Sequence, residues 1–259
     1  MIADRIPLEL DDGQMMHLRC WAPPDGAKGA LVALHGLMSH AGWFQSMGER
    51  LSSHGIALLA LDRRGSGAHQ ELQGAEKWEA WVSDCTLALD RARELCGRAS
   101  LFCWCGGSAH GVLAAARYND LHRLIYAAPV FYLQAAISDR MAAWPKGEER
   151  LPLPFHPLDD FSDEPAVRST IADDALRWQY VPRRFVAPIG EARRRAMAEV
   201  SAIRVPTMSL LATRDTIVDN GPTRALLEAQ GEVVAVDACQ AMVLEQPAAI
   251  AARIASFMT

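Results

Sequence analysis

The chain lacks the excess of positive charge that nucleic-acid-binding proteins usually carry. Its 259 residues include 26 Lys and Arg against 31 Asp and Glu, for a net charge of -5 and a pI near 5.9. This balance argues against nucleic acid as a partner. No uncharged apolar run reaches the roughly 18 residues that would predict a membrane span. The first seven residues contain no apolar signal region, so the sequence predicts a cytoplasmic protein.

Cysteine is sparse, and its spacing does not suit a metal ion. Of the six cysteines, only Cys103 and Cys105 lie close together, as a single C-x-C pair. A structural zinc site usually takes four ligands, from two such pairs or their histidine equivalents. We therefore predict no metal site, no cofactor and reduced thiols of the kind found inside cells.

Short, continuous apolar runs recur along the chain and alternate with stretches of helical periodicity. They are Ala30–Leu34, Ile56–Leu61, Leu101–Trp104, Leu124–Ala128, Met208–Ala212 and Val233–Val236. Runs of this kind are typical of parallel strands covered on both faces. A hairpin precedes them, around the turn Asp11-Asp12-Gly13. The order predicts an α/β fold with a mostly parallel central sheet flanked by helices, in a single domain over 1–259.

The region from about 130 to 202 interrupts this alternation. It is rich in proline and contains helical pieces around 166–180 and 191–200, but no clear strand. An insertion of this length after the sixth strand is more typical of a lid than of a structureless loop. Phe131 and Trp178 are aromatic residues of this region and candidate substrate contacts. Packing within the lid is the alternative for both.

The segment Phe102–Ser108 joins a buried strand to a helix rich in small residues. A nucleophile elbow is a sharp strand-to-helix turn that needs small residues two positions before and after the nucleophile. Cys105 meets this condition, because its neighbours at those positions are Cys103 and Gly107. Ser108 does not, since a histidine stands two positions after it. We therefore predict Cys105 as the nucleophile, with a buried structural thiol as the alternative.

Three further blocks surround this elbow in a fixed order. Leu34-His35-Gly36-Leu37 follows the third strand, Leu61-Asp62-Arg63-Arg64-Gly65-Ser66-Gly67 follows the fourth, and a later strand ends at Ala212-Thr213-Arg214-Asp215. The first is similar to the His-Gly turn of the α/β-hydrolase superfamily and the second to its D-x-R-G-x-G loop. With the elbow and the lid, the chain resembles the monoacylglycerol-lipase-like, serine-aminopeptidase-like branch over nearly its whole length.

The resemblance implies roles for residues at the ends of these strands. The backbone N–H groups of Leu37 and Gly106 would form an oxyanion hole, where negative charge develops on an attacked carbonyl. Asp215 would be the triad acid, with helix capping as its alternative. Asp219 is better placed as the N-cap of a helix that begins near Pro222.

The histidine that this family carries before its last helix is missing. Gln240 stands at that position, and no histidine follows His156. Glutamine does not titrate in water, so it cannot accept and return the proton of a serine nucleophile. A thiol at Cys105 is more acidic than an alcohol and reacts with a weaker base or with none. An engineered exchange of a serine and a histidine would leave the same pair of residues.

Three more residues at the predicted rim of the sheet are candidate substrate contacts. His35 and His40 stand on the loop after the third strand, and Trp104 immediately precedes the elbow. A structural role within its turn is favoured for His35.

Together these patterns predict acyl transfer or hydrolysis through a covalent intermediate on Cys105. The substrate would be a small-molecule ester or thioester, either free or attached to a carrier. A non-hydrolytic cyclase or lyase and a ligand-binding pseudoenzyme are the alternatives. The sequence does not indicate an oligomeric state.

Overall fold

The computed structural model describes residues 3–259, in which ten strands are present. The strands are β1 (Asp4–Glu9), β2 (Met15–Trp21), β3 (Ala30–Leu34), β4 (Ala57–Leu61), β5 (Ala99–Trp104), β6 (Leu121–Ala127), β7 (Arg150–Leu151), β8 (Val181–Pro182), β9 (Thr207–Ala212) and β10 (Gly231–Val236). Each predicted apolar run forms a strand, because an unbroken apolar sequence suits a strand buried on both faces.

Eight of the strands form one sheet in the order β1-β2-β4-β3-β5-β6-β9-β10. The opening hairpin β1–β2 is antiparallel and joins β4 in antiparallel pairing, whereas the other neighbours are parallel. Leu34, at the end of β3, lies opposite Leu61 of β4 and Cys103 of β5. The loops after these strands therefore meet at one edge, and the predicted α/β class is confirmed.

The helices are α1 (Gln45–Ser53), α2 (Trp78–Cys96), α3 (Gly107–Ala115), α4 (Ala135–Ala142), α5 (Pro165–Ala172), α6 (Val186–Glu199), α7 (Asn220–Glu228), α8 (Met242–Glu245) and α9 (Pro247–Met258). Two hydrophobic clusters cover the two faces of the sheet, one including α1 and α9 and the other α2, α3 and α6. Within residues 3–259, no helix is long and apolar enough to cross a bilayer. The helix predicted near Pro222 begins at Asn220, and the Asp219 carboxylate accepts from the N–H of Gly221 as predicted for its N-cap.

The segment 128–206 lies between β6 and β9 and carries α4, α5 and α6. It also contains β7 and β8, which pair antiparallel through Arg150 with Pro182 and Leu151 with Val181. The sequence predicted no strand here. Strands of two residues are too short to leave a periodic signal, and their pairing joins positions far apart in the chain.

Candidate active site

Cys105 stands on the turn between β5 and α3 in a left-handed conformation, with φ of 55°. Its backbone N–H donates to the carbonyl oxygen of Ala127, 3.0 Å away, which ties the turn to β6. The turn also needs glycine at position 107, because a Cβ atom there would lie 2.7 Å from the carbonyl oxygens of Leu34 and His35. Non-glycine residues with positive φ are uncommon, and such strain is typical of functional turns.

Two backbone N–H groups converge on the thiol of Cys105. They belong to Leu37 and Gly106, the pair that the family resemblance implies as an oxyanion hole, and both lie near enough to favour the thiolate form of Cys105. Gly36 makes this approach possible, since a Cβ atom at that position would lie 2.9 Å from the sulfur. Burial nevertheless outweighs these donors and raises the pKa of the Cys105 thiol to about 11.

Gln240 contacts the same thiol from the loop after β10. Its side chain lies near enough to favour the thiolate of Cys105, and its Nε2 donates to the carbonyl oxygen of Ala128 at 3.1 Å. The amide oxygen Oε1 is buried and has no partner among the described residues. Gln240 can therefore orient and polarise the sulfur, but it offers no titrating group.

Asp215 follows β9 and has one carboxylate oxygen satisfied. Oδ1 accepts from the N–H groups of Ile217 and Val218 at 2.8 and 3.0 Å. Oδ2 is buried without a partner in the part of the chain that the structure describes. In a Ser-His-Asp triad the carboxylate accepts from the histidine Nδ1–H, and no histidine is present after position 156 to supply it. Burial raises the pKa of Asp215 to about 7.

A largely apolar cavity opens onto Cys105, Leu37 and Gly106. Its volume accessible to water-sized molecules is about 110 Å³. Most of its wall comes from the segment 128–206, including α4 and α6. Ser108, the other candidate nucleophile of the elbow, does not line the cavity and is fully buried. The thiol of Cys105 is thus the nucleophilic side chain that the turn presents to this space.

The two histidines that were candidate substrate contacts both have structural partners, which is the role favoured for His35. The ring of His35 is buried and accepts at Nε2 from the backbone N–H of Arg63, 2.9 Å away. Burial lowers the pKa of His35 well below its usual value, so the ring is neutral. His40 accepts at Nδ1 from the N–H of Gly42 and donates at Nε2 to Asp174. Neither ring lines the cavity.

The three aromatic residues that were candidate substrate contacts pack away from the cavity, which for Phe131 and Trp178 is the alternative of packing. The indole N–H of Trp104 donates to the backbone oxygen of Gln240 at 2.9 Å. Phe131 is fully buried against Tyr126 on the other face of the sheet. The indole N–H of Trp178 donates to the backbone oxygen of Gly65, and its ring lies against the guanidinium of Arg63. Their side-chain directions depend on tertiary packing, which the sequence does not reveal.

Sequence reasoning missed several residues that line the cavity, above all Arg63, His110 and Arg193. The arginine triplet 193–195 has the composition of a solvated helix face. Arg194 and Arg195 are exposed and pair with Glu191, as expected, but Arg193 is half-buried and donates to a backbone oxygen. Arg63 occupies the variable position of the D-x-R-G-x-G loop, and no local pattern signals its burial.

A family model matches residues 25–238, under the description Hydrolase_4, serine aminopeptidase, S33. The chain belongs to this family. The match covers most of the chain and confirms the prediction of a hydrolase-type enzyme in the serine-aminopeptidase-like branch. No curated protein sequence matches this S33 family member.

Solved structures of other hydrolases share the fold of this S33 family member. A soluble variant of monoglyceride lipase from Saccharomyces cerevisiae superposes with a TM-score of 0.83 at 13% identity, covering 100% of this chain and 95% of that one. The monoacylglycerol lipase of Paleococcus ferrophilus superposes with a TM-score of 0.75 at 19% sequence identity. The match covers 93% of this chain and 100% of that one. The enol-lactonase of Burkholderia xenovorans LB400 superposes with a TM-score of 0.73 at 19% sequence identity. The match covers 98% of this chain and 99% of that one. At these identities the likeness concerns the fold.

Proposed function

We propose that this S33 family member transfers the acyl group of a small-molecule thioester or activated ester through a covalent intermediate on Cys105. One observation carries the proposal: a thiol stands on a strained elbow, lies beside two backbone N–H groups that favour its thiolate, and faces an apolar cavity. Donors placed in this way stabilise the oxyanion of a tetrahedral intermediate. The acyl donor is either free or attached to a carrier.

The acylation step balances without any further reagent. The sulfur of Cys105 forms a bond to the carbonyl carbon, and the carbonyl electron pair moves to oxygen beside the Leu37 and Gly106 N–H groups. When the carbonyl reforms, the bond to the leaving thiol breaks, and that thiol receives the proton that Cys105 gave up. Water or another nucleophile then attacks the acyl-enzyme and returns a proton to the Cys105 sulfur.

The missing histidine favours a thioester over a simple ester. An alkoxide leaving group needs a general acid, which the triad histidine normally supplies. Gln240 cannot supply it. A thiolate leaves far more readily because the parent thiol has a pKa near 8.5. The polar groups that contact the sulfur therefore suffice for a thioester donor, but not for an alkyl ester at a comparable rate.

We further propose that the segment 128–206 acts as a lid, within a single domain. Asp174 of this segment accepts a hydrogen bond from His40 at 2.9 Å and another from the indole N–H of Trp43, both on the loop after β3. These contacts hold the segment against the sheet edge, above the cavity that it helps to form. A closed lid excludes water and so favours acyl transfer over hydrolysis.

Mass spectrometry of the intact protein tests the covalent step. Incubation with butyryl and glutaryl thioesters of N-acetylcysteamine should add one acyl group, which peptide mapping should locate on Cys105. The Cys105→Ala variant should gain none, while Cys96→Ala, which removes a partly exposed thiol on α2, should behave as the parent protein. Absence of an adduct with both donors would contradict the proposal and favour a ligand-binding protein.

A further inference from the structure

Arg63 is a buried cation with no carboxylate partner among residues 3–259. Its residue is 5% exposed, and its guanidinium lies over the rings of Trp81 and Trp178, 5.4 and 4.7 Å from their centres. Both hydrogen bonds that the side chain makes with described residues leave from Nη2, to the carbonyl oxygen of Leu37 and the hydroxyl of Ser66. Nε is buried and has no partner among residues 3–259.

The neighbouring carboxylate does not neutralise this cation directly. Asp62 accepts from the backbone N–H groups of Ala41 and Ala68, and no ion pair joins it to Arg63 in the described part of the chain. By contrast, Arg64, the next residue, is paired with Asp84 and Asp12. The two adjacent arginines therefore differ: Arg64 is a structural cation, and Arg63 faces the cavity.

In the part of the chain that the structure describes, the wall of the cavity carries arginine but no aspartate or glutamate. Among the described residues that line it, the titratable side chains with a cationic form are Arg63, Arg193 and His110, and none is aspartate or glutamate. Burial lowers the pKa of His110 to about 3, so that ring is neutral. A buried charge that lacks a counter-charge destabilises the folded protein, and an anion in the cavity would relieve this cost.

From this charge distribution we infer that the cavity binds an acyl group that carries its own carboxylate, which pairs with Arg63. The inference rests on the proposed acyl transfer and names its substrate class: half-thioesters of short dicarboxylic acids. A carboxylate matches the planar guanidinium fork, whose Nε makes no hydrogen bond with the described residues. Because Nη2 of Arg63 donates to the carbonyl oxygen of Leu37, the anion would lie a short acyl chain away from the thiol.

The thiolate of Cys105 is the other anion that Arg63 could compensate. The pKa of the Cys105 thiol is nevertheless raised to about 11 by burial, although Arg63 lies near enough to interact with it. The resting sulfur is therefore protonated near neutral pH and leaves the guanidinium without an anion. A substrate carboxylate fills that role in the bound state.

The test compares two thioesters of N-acetylcysteamine with the same acyl skeleton, glutaryl and its neutral methyl ester. We expect kcat/KM to favour the glutaryl donor by roughly 10- to 100-fold in the parent protein. The Arg63→Met variant should lose this ratio, bringing it near one. Arg93→Met, which removes an exposed arginine on α2, should keep the parent ratio. An adipyl pair measured in parallel reports the preferred chain length.

Two results would overturn the inference while leaving acyl transfer in place. One is a parent protein that acylates Cys105 equally well with both donors. The other is an Arg63→Met variant that slows both donors by the same factor, which would make Arg63 a thiolate-stabilising residue. If Arg63→Met does not fold, the ratio of kcat/KM for the two donors is compared between the parent protein and Arg63→Lys, which keeps the charge but not the fork. A lower ratio in Arg63→Lys than in the parent protein supports the inference, and an equal preference for both donors in the parent protein overturns it.

A binding measurement separates this inference from the proposed reaction. Glutarate should protect Cys105 of the parent protein from alkylation by iodoacetamide, whereas glutaramide should not, and Arg63→Met should abolish the difference. This readout needs no catalysis. If no thioester acylates Cys105 but glutarate still protects it, the proposed reaction fails and the anion site stands. If glutarate and glutaramide protect Cys105 equally, the proposed anion site at Arg63 is wrong.

Discussion

The indole N–H of Trp104 donates to the backbone oxygen of Gln240 across 2.9 Å. Trp104 is the last residue of β5 and immediately precedes Cys105, so this bond fixes the loop after β10 directly behind the thiol. The Gln240 side chain lies beside the sulfur of Cys105 and donates to the carbonyl oxygen of Ala128. The bond from Trp104 holds the backbone of position 240 beside the nucleophile and does not involve the side chain at that position.

A histidine at position 240 should therefore complete a triad. In Gln240→His, we expect one imidazole N–H to donate to Oδ2 of Asp215, which has no partner among the described residues, and the other nitrogen to accept the thiol proton. General acid–base catalysis is worth roughly 100- to 10,000-fold, so hydrolysis of p-nitrophenyl butyrate should rise by at least about tenfold. Gln73→His, at an exposed position, is the control. An unchanged rate would mean that Asp215 and Cys105 are not arranged as triad partners.

The reactivity of Cys105 should increase steeply with pH. Only the thiolate is nucleophilic, and the pKa of this thiol is about 11. The rate constant of alkylation by iodoacetamide should therefore rise about tenfold per pH unit from neutral pH upwards, without a plateau below about pH 10. Intact-protein mass spectrometry of a Cys96→Ala background isolates the reaction. A rate constant that levels off near pH 7 would contradict this prediction, because it would mean that the pKa of Cys105 is much lower than its buried environment indicates.

Asp215 should make the free energy of unfolding depend on pH. Its pKa is raised to about 7 in the folded protein, against about 3.9 in an unfolded chain. Between those values the unfolded chain releases a proton that the folded chain keeps, so stability falls as pH rises from about 4 to 7 and levels off above. Asp215→Asn should remove this dependence, which amounts to at most about 4 kcal/mol.

Urea unfolding at about pH 4 and about pH 8 measures this difference for the parent protein and the variant. Asp139→Asn, which alters an exposed carboxylate on α4, serves as the control and should leave the pH dependence as it is. If the parent protein gains stability relative to Asp215→Asn as pH rises, the carboxylate has a stabilising partner that the structure does not show.

The Asp174 contacts should anchor the segment 128–206. Asp174→Ala removes the acceptor of both the His40 and the Trp43 hydrogen bonds and leaves two buried donors unpaired, at a cost of about 1–3 kcal/mol. Amide hydrogen exchange should quicken around α5 and the residues that follow it, while the strands of the sheet keep their protection. Asp173→Ala, one residue earlier and exposed, is the matched control. Equal exchange in the two variants would mean that this contact does not hold the segment.

The fold was predictable because its signals are local. A strand buried on both faces must be apolar along its whole length, so runs such as Ala30–Leu34 and Met208–Ala212 can be read without knowing their neighbours. The elbow at Cys105 was also predictable, since the turn restricts the size of residues two positions away. The pairing of Arg150 with Pro182 was not, because it depends on how the inserted segment folds back on itself.

The lining of the cavity depends on contacts that are distant in sequence. Trp104 and Phe131 are large aromatic residues near the elbow, and only the tertiary structure shows that both point away from the cavity. Arg63 looks like an ordinary loop arginine. Its burial arises from Trp81 of α2 and Trp178 of the segment 128–206, which cover it from two directions. Sequence periodicity carries no information about such an arrangement.

The cavity draws its wall and its reactive group from different parts of the chain. The sulfur and its two N–H donors belong to turns at the edge of the sheet, whereas most of the wall belongs to residues 128–206. Substitutions in that segment can therefore reshape the space offered to a ligand without loosening the bend on which Cys105 stands. Directed evolution toward bulkier or differently charged ligands should accumulate its changes there and spare the sheet edge.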